Sequence, residues 1–379
     1  MVNYKNISFN IDSKYSSILS DDEIAFLKNT EFIQEINIEL NLKDNIDKIN
    51  FKDFDQIVLI GFGGSSLGTK SIYNALYHER NLKKIFFIDN LETETFNFVM
   101  SQVNKENTLF LFVSKSGNTF EVLSILQYML EEGYNKNNFH FMTQDSKSKM
   151  REIADKNNIS YSLLNNNLGG RFSVLSLSTF LPLDLVGCNW TEIKNSALNF
   201  YINETKNSFQ ISSGLINFYL NNYQNGKNIS CFMPYSSRLS SFSEWIMQLF
   251  GESLGKKNVG DYPVALTPIS YLGPKDQHSQ LQLVLDGPQD KTLSFFNFDN
   301  NIFESKLNEL SKIEQIATIG ALKEVGVPYI EISSKNLDEN YLGVLFIIFE
   351  ITVSIIALRL GVNPFDQPAV ELIKKRINK

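Results

Sequence analysis

QIVLIGFGGSSLG, residues 56–68, is the stretch whose reading decides the fold. Gln56–Gly61 is a short apolar run closed by glycine, the texture of a strand covered on both faces. It passes through a cluster of glycines and serines into TKSIYNALYHER, whose apolar residues recur at three- and four-residue spacing as on an amphipathic helix. KKIFFID (Lys83–Asp89), TLFLFVS (Thr108–Ser114) and NFHFMT (Asn138–Thr143) read as further buried strands, with TFEVLSILQYMLEEG as another helix. Strand alternating with helix through short loops predicts a doubly wound parallel sheet.

The pattern restarts after Lys227. NISCFMPY (Asn228–Tyr235) reads as a strand and SFSEWIMQLFGESLG as a helix, followed by QLQLVLDG, KTLSFFNF and VPYIEI as strands and a terminal helix from about Val370. The region from Val174 to Tyr223 is helical in pattern, and YNKNNF and LLNNNL read as loops. A chain of 379 residues also exceeds one ordinary core. The expected α/β architecture is two doubly wound α/β/α sandwich domains with mostly parallel sheets. Its boundaries are an N-terminal extension over 1–50, a first domain over 51–185 with the anion-binding loops, a helical linker over 186–225, and a second domain over 226–379 with C-terminal helices.

Asp and Glu outnumber Lys and Arg by 42 to 35, a net charge of −7. Nucleic-acid affinity rests on clustered cations, so no nucleic-acid partner is expected. Cys188 and Cys231 are far apart with no CxxC, and no His, Cys and carboxylate residues fall at ligand spacing, so neither a metal nor a cofactor is expected. The opening MVNYKNISFNIDSK has no cationic region followed by an apolar one, which points to the cytoplasm. LGVLFIIFEITVSIIAL, Leu342–Leu358, is apolar but carries Glu350 at its middle, which suits a buried core helix or subunit contact and no membrane span.

Ligands of open α/β sheets bind outside the carboxyl ends of the strands. Two such ends run through small residues into helices: Gly61–Gly68, and Ser114-Lys115-Ser116-Gly117-Asn118-Thr119. Small residues admit a ligand to the backbone, and a helix start favours an anion, so a phosphate monoester fits. A dinucleotide fingerprint fails at Ser66, which occupies its third glycine position, and Asp89 is only a partial match. A Walker A ending is absent. Gly64-Ser65-Ser66-Leu67-Gly68 does fit the G-x-S-x-G nucleophile elbow, which makes Ser66 a hydrolase candidate. His78 (helix surface) and His140 (inside a strand) suit that role poorly, so His278 would have to be its partner.

Gln248 and Glu252 lie four apart on one helical face, with Glu252 between Gly251 and Gly255. A carboxylate there is a candidate general base. His278 follows a Gly-Pro turn at the mouth of the expected strand QLQLVLDG, Arg171 follows Gly169-Gly170, and NPFDQPAVELIKK puts Gln367 before a helix and Lys374 inside it. Taken singly, Glu252 and Lys374 also read as solvated surface residues and Arg171 as a turn arginine.

Six segments in order, IGFGGSSLG, FVSKSGNTFE, GGRFSVLS, QLFGESLGK, DQHSQLQLVLDGP and NPFDQPAVELIKK, resemble those of the phosphoglucose isomerase family, over about Gln56 to Lys375. The resemblance implies domains of the sugar-isomerase type and interconversion of glucose 6-phosphate and fructose 6-phosphate through a cis-enediol. It implies that Gly64, Ser65, Ser114, Lys115, Ser116 and Thr119 hold the sugar phosphate. By the same likeness, Glu252 moves the proton between C2 and C1, and His278 with Lys374 opens the ring. Arg171 would stabilise the enediol charge, and Gln248 and Gln367 would orient substrate. It also implies a homodimer with shared sites, the histidine coming from the neighbouring subunit. The chain departs from the family at Ile373, where many relatives have glycine, and in a short N-terminal region. A non-catalytic phosphosugar sensor and an isomerase that also accepts mannose 6-phosphate remain alternatives.

Overall fold

A computed structural model describes residues 1–78, 80–299 and 305–377. The chain forms two compact units, 31–194 and 1–30 with 195–379. β1 (Val2–Tyr4) and β2 (Ile7–Asn10) open the chain as an antiparallel pair. The 31–194 unit holds β3 (Gln56–Gly61), β4 (Lys84–Ile88), β5 (Thr108–Val113), β6 (Phe139–Gln144) and β7 (Ser160–Leu164). All pair in parallel, in the order β4-β3-β5-β6-β7. Every residue of β5 is buried, because helices cover both faces of a parallel sheet. One layer of this core runs from Val58 and Ile60 through Phe110 and Phe112 to Leu126 and Phe141.

Strand order reverses around β3: the chain steps outward to β4, then returns to the other side of β3 as β5. That reversal is the topological switch point of a doubly wound sheet, where a crevice opens at the carboxyl ends. Gly61 pairs with Val113, so the loops leaving β3 and β5 start side by side.

The other unit contains β8 (Ile229–Pro234), the ribbon of β9 (Lys256–Lys257) with β10 (Pro263–Val264), then β11 (Thr267–Ser270), β12 (Lys291–Phe298) and β13 (Tyr329–Ser334). Its main sheet runs β1-β2-β13-β12-β8-β11, parallel from β13 to β11. The same winding recurs here, with β8 between β11 and β12. The mostly parallel α/β architecture expected from the sequence is thus present twice.

Several elements differ from expectation. Residues 1–50 are not one extension: β2 pairs antiparallel with β13, which draws 1–30 into the second sheet, while 31–50 belong with the other unit. The Ile7 and Phe9 side chains on β2 are fully buried. Helix Gln210–Gln224, expected within a linker, is core: Tyr219 is fully buried and its hydroxyl lies 2.7 Å from Ser294 Oγ on β12. QLQLVLDG is helical up to Asp286, the last residue of helix Gln277–Asp286, although its residues alternate like a strand. Only Leu281, Val284 and Leu285 pack on the core, and that three- and four-residue spacing is helical.

Helix Glu339–Leu360 contains the long apolar stretch. It is long and apolar enough to cross a membrane, yet 94% of its most apolar window is buried inside the protein. Glu350 at its centre is fully buried with neither carboxyl oxygen hydrogen-bonded, and desolvation pushes its pKa far above the usual carboxylate range.

Candidate active site

The loop after β3 folds as a single 3₁₀ turn, Gly63–Ser65, before helix Leu67–Leu76. Gly63 takes φ 56°, a left-handed conformation that glycine adopts without strain. The loop after β5 turns at Gly117, φ 63°, where an added Cβ would lie 2.3 Å from Ser148 Oγ. Helix Phe120–Glu131 follows. Neither helix receives a side-chain cap from the residue before it, Ser66 or Thr119. Helix starts without such caps offer N–H donors to an anion.

Ser114 is buried, and its hydroxyl lies 2.7 Å from that of Thr119, which draws the two ends of the turn together. Ser116 Oγ accepts from the Asn118 amide at 3.2 Å. The Lys115 carbonyl accepts from the Gln144 amide at 3.0 Å and the Thr143 hydroxyl at 3.2 Å, which fixes the Lys115 backbone. Burial lowers the pKa of Lys115, and Glu31 partly offsets the shift. Lys115 and Ser65 line one small cavity of about 20 Å³ together with Gly170 and Ser173.

Arg171 lies in the 3₁₀ turn Gly170–Phe172 and is 2% exposed, so it is a turn arginine but a buried one. Its guanidinium carbon stands 5.7 Å from the Phe172 ring, which stacks on Phe32 at 5.3 Å. Gly64 packs directly on this turn: a Cβ at Gly64 would lie 2.2 Å from the carbonyl carbon of Gly170. Gly64, Ser65, Arg171 and the Ser114–Thr119 turn therefore belong to one unit, with the arginine turn abutting the loop after β3.

The hydrolase reading of Ser66 finds no support here. Ser66 is 1% exposed and its hydroxyl donates to the Gly63 carbonyl at 3.3 Å. His140 is fully buried between the Ser160 and Ser162 hydroxyls, 2.8 and 2.9 Å away, with burial lowering its pKa to about 3. His78 is exposed beside Tyr77.

The other unit carries the remaining candidates. On helix Ser240–Leu254, Gln248 Nε2 donates to Glu252 Oε1 at 3.0 Å, which fixes the orientation of that carboxylate. His278 is the second residue of helix Gln277–Asp286 and is exposed. The turn before it is braced: Asp276 accepts from the Leu272 amide at 2.7 Å and from the Ser279 hydroxyl at 2.8 Å, and Gln277 donates to Tyr235 at 2.7 Å. Gln367 precedes helix Val370–Ile377, which includes Lys374. The Lys374 side chain lies outside the described residues.

Sequence reading overlooked Lys256. Its ammonium reaches from the end of the Glu252 helix to Asp366 Oδ1 at 2.7 Å, and also donates to the carbonyls of Asp366 and Asn363. It thereby ties the Glu252 segment to the turn that presents Gln367. The lysines of GESLGKK were visible, but nothing local marked which one would turn back.

Two small-residue turns at the switch point of one doubly wound unit, and a carboxylate oriented by its neighbour in the other, belong to an α/β fold of the sugar-isomerase type. The phosphoglucose isomerase family model matches residues 30–298, and the chain belongs to that family. It is 31% identical to glucose-6-phosphate isomerase of Campylobacter jejuni, over 98% of this chain and 96% of that protein. It is 33% identical to glucose-6-phosphate isomerase of Methanocaldococcus jannaschii, over 88% of this chain and 86% of that one. In fold it is similar to a hypothetical protein from Thermus thermophilus, with a TM-score of 0.82 and 24% identity over 98% and 99% of the two chains.

Proposed function

We propose that this chain interconverts glucose 6-phosphate and fructose 6-phosphate as an aldose–ketose isomerase. The observation that carries the reading is the family match over residues 30–298, which contains both serine-rich turns, Arg171, Glu252 and His278. The two turns, with Gly64, Ser65, Ser114, the Lys115 backbone, Ser116 and Thr119, hold the sugar phosphate. That remote anchor supplies binding energy for positioning the reacting carbons. The Glu252 carboxylate takes the C2 proton of the open-chain aldose and returns it to C1 after the cis-enediol forms. Gln248 holds that carboxylate through its 3.0 Å hydrogen bond. Arg171 offsets the charge developing on the enediol oxygens. His278 and Lys374 move the protons that open the ring, and Gln367 orients substrate.

The exposure of His278 suits a residue that serves a neighbouring subunit, so the assembly in this reading is a homodimer with shared sites. Both cysteines are free and buried, which suits a reducing cytoplasm. The test is formation of glucose 6-phosphate from fructose 6-phosphate by the purified chain, followed through a coupled dehydrogenase. Turnover is expected. Binding without turnover would leave the non-catalytic phosphosugar module, and mannose 6-phosphate assayed in parallel separates a broader isomerase.

A further inference from the structure

Three serines that follow Arg171, and that line the small cavity beside Ser65 and Lys115, form a closed hydroxyl cluster. Ser173 Oγ donates to the Gly170 carbonyl at 2.7 Å. Ser176 Oγ donates to the Ser173 carbonyl at 2.7 Å, and Ser178 Oγ reaches the same carbonyl at 3.2 Å and Ser173 Oγ at 3.1 Å. All three serines are buried. The Gly170 and Ser173 carbonyls thus each accept from a fixed side chain as well as from a backbone amide, just ahead of helix Leu177–Leu185.

That helix is itself seated against the first phosphosugar loop. A Cβ on Gly68 would lie 2.6 Å from Thr179 Oγ1, and one on Gly64 would lie 2.7 Å from the Arg171 amide nitrogen. The segment from Gly64 to Gly68 therefore meets the backbone of the arginine turn at one end and the Thr179 side chain of the helix after the serines at the other. Without the hydroxyl the Gly170 carbonyl keeps only the Ser173 amide, at 3.2 Å, so the turn is held by one bond fewer and can move. In a packed interior, such movement passes to whatever the turn carries.

We propose that Ser173 is a positioning residue, whose hydroxyl on the Gly170 carbonyl holds Arg171 in register with the Ser65 loop. The proposal rests on the reading of Arg171 as the cation that meets the enediol. Ser173 acts through the turn. Its loss should then lower turnover more than it weakens phosphate binding, most of whose groups lie on the Ser114–Thr119 turn. Misplacement of a catalytic group by a fraction of an ångström to one ångström costs on the order of tenfold to a hundredfold in rate.

The experiment is a double-mutant cycle on the full chain with Ser173→Ala, Arg171→Ala and the pair. It reads kcat for fructose 6-phosphate and the inhibition constant of inorganic phosphate. Ser173→Ala is expected to lower kcat about tenfold, with phosphate inhibition within about twofold of wild type, and to add nothing further in the Arg171→Ala background. Ser178→Ala, one bond further from the turn, should show the same pattern more weakly and serves if Ser173→Ala does not fold. Equal losses in both backgrounds would show that the serine acts independently of Arg171 and would overturn the proposal. So would a Ser173→Ala enzyme with wild-type kcat. Wild-type turnover by Arg171→Ala itself would refute the reading of the arginine, and the coupling with it.

Discussion

The Lys256 ammonium lies 2.7 Å from Asp366 Oδ1, and the same nitrogen donates to two main-chain carbonyls of the turn before Gln367. The lysine side chain is 8% exposed, so this anchor is shielded from water although Asp366 is not. Lys256→Met removes three donated bonds at once and frees the turn that presents Gln367. We expect KM for fructose 6-phosphate to rise roughly threefold to tenfold, with a stability loss of about 1–3 kcal/mol. Steady-state kinetics and urea unfolding of the variant check both values.

Shared sites make a prediction that a self-contained subunit does not. If Glu252 of one subunit works with His278 of its partner, each homodimeric variant, Glu252→Gln or His278→Asn, is crippled. Mixed dimers of the two variants contain one site with both changes and one with neither. Random co-assembly should then restore about a quarter of the wild-type activity. Co-expression with distinguishable tags lets the mixed dimer be isolated, where the expected activity is about half of wild type, and absence of recovery would mean that both residues serve within one subunit.

His140 sets a pH dependence of stability unrelated to catalysis. It is neutral in the fold, its pKa lowered by burial to about 3, with Lys48 a smaller cause. In the unfolded chain an imidazole titrates near 6.5. Between those values the unfolded state binds the additional proton, so stability falls as pH drops from about 6.5 toward 3, by up to about 1.4 kcal/mol per pH unit. His140→Gln lacks this proton, so its stability deficit relative to wild type should shrink by up to ~2 kcal/mol between pH 7 and pH 5. Urea titrations at the two pH values measure the change.

Much of this architecture was legible in one dimension. β3 and β5 are apolar runs that end in small residues, and their pairing at Gly61 and Val113 puts the two small-residue loops at the carboxyl ends, where ligands of doubly wound sheets bind. What was not legible depended on distant partners. The seat of Gly64 on Gly170 joins segments more than a hundred positions apart, and no local pattern announces it. β2 is four residues long, and its place at the sheet depends on β13 near the other end of the chain. QLQLVLDG shows a third kind of failure, in which true alternation was overridden by packing: the core accepts Leu281, Val284 and Leu285 and leaves Leu283 44% exposed. Glu252 was identifiable by type and neighbours, but the Gln248 bond that orients it is a fact of side-chain geometry.

The most direct test of the account is the Glu252→Gln variant, which keeps the shape of the side chain and removes its ability to accept a proton. Turnover of fructose 6-phosphate should fall about 10²–10⁴-fold, while calorimetry finds sugar-phosphate affinity close to wild type. A variant that isomerises at the normal rate would contradict the assignment of Glu252 as the base.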